Sequence, residues 1–127
     1  MDAERFNAEL AGCLKPLQFR KSNATWRKDM GECIAVLNVQ KSSWGDGGFY
    51  VNVGLYFKAL GADASPTENV CHIQERLPVR VPELVASSAT SWFAERATLE
   101  RLRALHQKER LKGKGLVMKV LLDALGT

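Results

Sequence analysis

The stretch Ile34 to Phe57, IAVLNVQKSSWGDGGFYVNVGLYF, constrains the fold more than any other part of the chain. Phe49, Val51, Val53, Leu55 and Phe57 alternate with Tyr50, Asn52, Gly54 and Tyr56. Successive side chains on a strand point to opposite faces, so this pattern requires a strand with one buried and one wetter side. Cys33, Ala35, Leu37 and Val39, alternating with Ile34, Val36, Asn38 and Gln40, repeat it less cleanly. The segment between them, KSSWGDGG from Lys41 to Gly48, contains Asp-Gly and Gly-Gly steps that supply the positive φ angles of a tight reversal.

Register follows from the same pattern, because a slip of one residue sets the apolar side of one strand against the polar side of the other. Val39 opposite Val51 puts Leu37 opposite Val53 and Ala35 opposite Leu55. The same register puts Asn38 opposite Asn52 and Gln40 opposite Tyr50. Slips of two residues keep the faces and change the partners. The second face then carries Asn38, Gln40, Tyr50 and Asn52, with Tyr56 at its end. Antiparallel sheets commonly leave one side wet. The cluster is therefore a solvated face, a set of amides bonded to a covering loop, or a ligand or partner surface. Trp44, in the turn, either folds back over the sheet or stands out as a binding anchor.

Before the hairpin, Phe6, Leu10, Cys13, Leu14 and Leu17 follow helical spacing, and Pro16 ends that helix near Leu14. Phe19 to Lys28 reads as one strand anchored by Phe19 and Trp26, so the sheet begins as a meander. Leu60 to Asn69 is a loop by composition. Val70 to Arg76 is either a fourth strand or a strand-like connection. Helical periodicity resumes at Pro82, with Ser87, Ser88, Thr90 and Ser91 as N-cap candidates before Trp92 and Phe93. It continues through Leu99, Leu102 and Leu105 to about Leu111. Gly113 and Gly115 interrupt it, and a last helix spans Leu116 to Leu125. The expected architecture is a single α+β domain over 1–127. It has an antiparallel meander of three to four strands, an N-terminal helix, and two or three C-terminal helices packed on one face.

A length of 127 residues, with 46% hydrophobic and 25% charged residues, is ordinary for one globular domain. The charged N-terminus has no apolar segment of signal-peptide type, and no apolar run approaches the roughly 20 residues that span a bilayer. The expectation is a cytoplasmic protein without a membrane partner. Cys13, Cys33 and Cys71 are odd in number and scattered, which argues for reduced thiols. Cys71-His72 is the one adjacent pair of metal-ligand types, and paired zinc spacings are missing, so no metal and no cofactor is expected.

Charge is unevenly spread. Residues 96–119 carry +6 and the remainder −2, within a net +4. A basic helical segment suits an acidic protein surface or a phosphate backbone, or is simply the solvated side of an amphipathic helix. No P-loop, nucleophile elbow or nucleic-acid signature occurs. The one catalytic pairing on offer is His72 with Glu75 or Arg76. Amides and tyrosines on a sheet suit recognition better than proton transfer, and the expectation is a non-enzyme.

Several of these residues also carry a likeness. Gln18-Phe19-Arg20-Lys21, Trp26-Arg27, Leu37-Asn38-Val39-Gln40-Lys41-Ser42, Phe49-Tyr50-Val51-Asn52-Val53-Gly54, His72-Ile73, Arg76-Leu77 and Trp92 stand in order along the chain. Over residues 6 to 93 the chain resembles a family of small bacterial proteins classed as a domain of unknown function. Gln18 stands where that pattern has Gly. The resemblance implies an α+β fold and no catalytic residues. It further implies, by analogy, an immunity-type protein that binds and neutralises a cognate toxin. The residues expected to bind are Asn38, Gln40, Trp44, Tyr50 and Asn52 on the sheet side, or Arg101, Arg103, Lys108 and Arg110 on the basic side. The alternatives are a nucleic-acid binder using the basic helices and a small-molecule binder using the polar sheet face.

Overall fold

The computed structural model describes residues 2–42, 48–111 and 116–126. Helix α1, Ala3–Leu14, starts at Asp2, whose carboxylate accepts the Arg5 N–H at 2.9 Å. That bond satisfies one of the donors a helix start leaves free. Phe6, Leu10 and Leu14 form its fully buried stripe. The helix passes into a 3-10 turn, Lys15–Leu17, that accommodates Pro16 and closes on Gln18 at φ 70°. A left-handed backbone favours Gly, which accounts for the Gly that the resemblance has at this position.

Six antiparallel strands follow in simple meander order: β1 Arg20–Ser22, β2 Thr25–Asp29, β3 Cys33–Lys41, β4 Phe49–Phe57, β5 Ile73–Leu77 and β6 Leu116–Val117. The β3–β4 register is the one built on Val39 opposite Val51, with Asn38 opposite Asn52 and Gln40 opposite Tyr50. The sheet has more strands than the three to four expected, for two local reasons. Residues 19–28 form not one strand but a hairpin, turned at Asn23 and Ala24 with Asn23 at φ 56°. Asn tolerates this conformation better than most residues. At the other end, Leu116 and Val117 pair with Gln74 and Ile73 instead of opening the last helix, which is confined to α4, Lys119–Ala124. Two residues are too few to show a period.

Helix α2, Pro82–Arg96, starts at Pro82, where the missing N–H costs no hydrogen bond. The expected caps near Ser87 to Ser91 lie inside it. There Ser87 donates to the Leu84 carbonyl and Thr90 to the Ala86 carbonyl at 2.8 Å, so these hydroxyls are satisfied within the helix. Helix α3, Leu99–Lys108, is capped by Thr98, which accepts the Arg101 N–H.

The helices cover one face of the sheet. Cys33, Ala35, Leu37, Val39, Val51, Val53, Leu55 and Phe57 meet Phe6, Leu10, Leu14, Val85, Phe93, Leu102 and Leu121 in one continuous core. The Phe6 and Phe49 rings lie 4.5 Å apart. Burying one large apolar side chain contributes about 1.5–3 kcal/mol, so this layer dominates stability. A smaller cluster, Ile34, Val36, Tyr56 and Cys71, sits on the opposite face. It forms because the 58–72 segment folds over that end of the sheet, and Gly54 lets it come close. A Cβ on Gly54 lies 2.8 Å from the Cys71 Cβ and 3.2 Å from the Ile73 carbonyl oxygen.

Substituting Gly54→Ala is therefore expected to cost about 1–3 kcal/mol, the range of an overpacked core. Gly12→Ala is the control: nothing lies within 4 Å of its Cβ position on α1. That change should stabilise by roughly 0.5–1 kcal/mol through helix propensity. Urea titration of both variants checks the pair, and equal stability of Gly54→Ala and the parent chain would sink the packing account.

Candidate functional site

The second face of the sheet has a covered end and an open end. At the covered end, Tyr56 is buried, its hydroxyl accepting the Asp63 N–H at 3.1 Å. Tyr56 stacks on His72 with ring centroids 4.5 Å apart. His72 is 4% exposed, and its Nδ1 accepts the Phe57 backbone N–H at 2.9 Å. That bond fixes the neutral tautomer with the proton on Nε2. Burial pushes the imidazole below its ordinary pKa. The pairing of His72 with Glu75 or Arg76 is not built into β5. Glu75 lies opposite Val53, on the helical side, whereas Arg76 lies opposite Asn52 on the other. His72 instead ties the covering segment to the sheet.

Burial also pushes the Cys33 and Cys71 thiols up to about 12, with Glu32 and Glu68 respectively adding to the effect. Cys13 is half-buried, not a core residue, and its thiol is raised by burial and by Glu83 and Glu9. All three cysteines are free.

The open end carries the polar cluster. Asn38, Gln40, Tyr50 and Asn52 come together there as the register requires. Asn52 is buried to 5% exposure and donates through Nδ2 to Gln40 Oε1 at 3.1 Å. Asn38 donates to Thr25 Oγ1 at 3.1 Å and to the Ala24 carbonyl at 3.3 Å. The residue that organises this end is one the sequence did not single out for binding. Arg76 Nε donates to Asn52 Oδ1 at 3.3 Å, and its guanidinium carbon stands 3.9 Å from the Tyr50 ring centroid. A second guanidinium, Arg80, stands 5.7 Å from the same ring. Cation–π contacts of this kind fall within about 6 Å. Nothing in the strand alternation marks Arg76, because its role depends on the β4–β5 pairing.

This face also carries a carboxylate. Asp29 is on it, its carboxyl pKa lowered first by its hydrogen bonds from Lys58 and then by the Gly31 N–H. Beside Asp29, a groove of about 740 Å³ runs between the β1–β2 edge and Ala64-Ser65. Asn38, Asn52 and Tyr50 do not line it.

The basic candidates belong to the helical layer, on the other side of the sheet. Arg101 donates to the Ala94 carbonyl, and Arg103 donates to the carbonyls of Leu125 and Ala124 at 3.3 and 3.4 Å. Arg103 thus anchors the end of α4. Lys108 and Arg110 are exposed. Trp44 lies outside the described residues. No group of three or more His, Cys, Asp or Glu side chains among the described residues is placed to hold a metal ion. No helix among them is long and apolar enough to cross a membrane.

Residues 10–111 match the family model described as Domain of unknown function (DUF4304). The match spans most of the chain, and the chain belongs to that family. It takes in β1 through β5, α2 and α3, and with them the whole open end of the second face. No curated protein and no solved structure matches the chain.

Two measurements test the covered end. The unfolded chain takes up the His72 proton at the ordinary value of 6.5, and the native chain only at lower pH. Stability should therefore fall as pH drops below 6.5 and continue falling to the depressed native value. His72→Gln removes that proton uptake and should flatten the profile between about pH 7 and 5.5; an unaltered slope would reject the assignment. Separately, an aqueous thiol reagent should modify Cys13 slowly in the native protein, and all three cysteines after unfolding. Fast native labelling of Cys71 would show that the 58–72 segment opens.

Proposed function

We propose that this member of the DUF4304 family is a protein-binding module that docks its partner on the open end of the second sheet face. The observation that carries the reading is the Tyr50–Arg76–Asn52–Gln40 chain of contacts. Tyr and Arg are enriched among residues that dominate binding energy. Here the arginine is stacked and hydrogen-bonded before any partner arrives, so less side-chain entropy is lost on association. The strands beneath are rigid, being packed on the core through their other faces.

In its most concrete form, the partner is a bacterial toxin domain that the protein neutralises by occlusion, as the family resemblance implies. This mechanism needs a complementary surface and no chemistry. The Arg76 and Arg80 pair suits an acidic patch on that partner. The basic helical layer supports the alternative of nucleic-acid binding less well, since Arg101 and Arg103 already donate to carbonyls of their own chain.

The test is affinity capture from native lysate with surface variants. Tyr50→Ala combined with Arg76→Ala should weaken partner binding by about 2 kcal/mol or more, roughly thirtyfold in Kd. Lys108→Glu with Arg110→Glu is expected to leave it unchanged. That pair is preferred to Arg103, whose replacement would also release α4. Capture that survives the first pair and fails in the second moves the interface to the helical layer. Nuclease-sensitive capture replaces it with the nucleic-acid reading.

A further inference from the structure

The groove beside Asp29 holds an electrostatic arrangement that the fold itself does not neutralise. Arg20 and Arg27 are direct cross-strand partners in the β1–β2 hairpin. Like charges placed opposite each other on a sheet are destabilising. Lys21 and Lys28 also border the groove, but their ammonium groups stand over the Trp26 and Phe19 rings on the helical side, so the groove itself sets these two arginines against the one carboxylate of Asp29. That carboxylate is already spent: Lys58 Nζ reaches both of its oxygens at 2.8 Å. No salt bridge from Arg20, Lys21, Arg27 or Lys28 is made among the described residues.

One of the two arginines is pre-positioned. Arg27 is half-buried, and its Nε donates to the Pro66 carbonyl at 2.7 Å. This bond fixes the guanidinium plane and leaves the two terminal nitrogens for another acceptor. The hydroxyls of Ser22 and Ser65 and the amide of Gln18 share the lining, with Ile34 as its apolar part. Guanidinium forks with hydroxyl donors match the oxygens of a phosphoryl group. The volume of about 740 Å³ is in the range of small-molecule sites, roughly 300–1,000 Å³.

We propose that this groove is a binding site for a small phosphorylated molecule, with Arg27 and Arg20 clamping its phosphoryl group. The bound dianion would lie between the two guanidinium groups and offset their mutual repulsion. The site is separate from the Tyr50–Arg76 surface, so phosphate binding and partner capture fail independently under different substitutions.

The experiment titrates the full chain with inorganic phosphate, a nucleoside 5′-monophosphate and the parent nucleoside, followed by calorimetry and thermal melting. Phosphate and the monophosphate should bind saturably and raise Tm. Arg20→Thr and Arg27→Gln should each weaken both by roughly tenfold or more, the loss expected for one charge-assisted contact. Tighter binding of the monophosphate than of phosphate identifies an organic phosphate as the ligand; equal affinity identifies the phosphoryl group alone as what the groove reads. Arg27→Gln also removes the Pro66 contact, so Arg20→Thr, at an exposed position, is the deciding variant. Without ligand it should melt no lower than the parent chain, because it removes a like-charge pair. Three results overturn the proposal: no saturable phosphate binding, unchanged affinity in Arg20→Thr, or a nucleoside that binds as well as its monophosphate.

Discussion

The pairing of β3 with β4 is the constraint on which the rest of the molecule depends. Each strand runs nine residues, and every position is paired across the hairpin. With a side-chain period of two, this single register decides which residues the helices cover and which they leave. Val51, Val53 and Leu55 go to the core with no exposure at all. The partition leaves Asn52, Gly54 and Tyr56 on the far side, where the chain must either cover them or wet them. It does both. The 58–72 segment takes Gly54 and Tyr56, and Asn52 stays with the open polar end.

The covering segment is held by small, specific contacts more than by buried area. Its side of the sheet contributes a cluster of Ile34, Val36, Tyr56 and Cys71, against a far larger core on the helical side. Polar anchors supply the rest: His72 Nδ1 takes the Phe57 N–H, Arg27 holds the Pro66 carbonyl, and the Tyr56 hydroxyl takes the Asp63 N–H. Net hydrogen-bond contributions are about 0.5–1.5 kcal/mol each, and leaving one buried partner unsatisfied costs about 1–3 kcal/mol. The segment is therefore held in one conformation more sharply than its apolar area alone would require. Arg27 belongs both to these anchors and to the groove, so groove geometry and loop closure are mechanically linked.

What could be read from the sequence follows the length of the signal. The faces of the β3–β4 hairpin were legible because nine alternating residues on each side exclude a slip of one, and the observed pairs are those set by Val39 opposite Val51, one of the registers that alternation left open. α1 was legible because Phe6, Leu10 and Leu14 repeat over three turns. The β1–β2 hairpin was not, since its strands are three and five residues long and its turn is marked only by Asn23. β6 offers no pattern of its own, and its existence depends on the free edge of β5. The start of α2 at Pro82 was legible, but the N-caps expected at Ser87 to Ser91 were misplaced, because serine and threonine favour caps, a preference overridden here where the Ser87 and Thr90 hydroxyls bond within the helix. Of the candidate surface, Asn38, Gln40, Tyr50 and Asn52 were placed correctly by alternation alone. Arg76 was named only as a partner of His72 and in the family likeness, and neither it nor Arg80 nor the Arg20–Arg27 pair was singled out for binding, because their significance there arises from pairings between strands that are remote or poorly marked in sequence.

Residues that fit their local structure badly are informative in proportion to how little the fold explains them. Gly54 weakens a central strand, yet the close approach of Cys71 accounts for it fully. Asn38 and Asn52, set opposite each other in the two longest strands, are also poor strand formers, on a scale that spans about 1 kcal/mol. Their internal hydrogen bonds recover part of that cost, to Thr25 and Ala24 for Asn38 and to Gln40 for Asn52. A threonine or valine pair at the same positions would serve the sheet better. The Arg20–Arg27 pair is worse still, because neither guanidinium makes a salt bridge among the described residues. Sequences that break a local rule without an internal compensation tend to do so where they bind something. On this face the partly compensated amides and the paired arginines, which continue the Val36–Gly54 row onto the β1–β2 edge, are the positions that bear the proposed contacts.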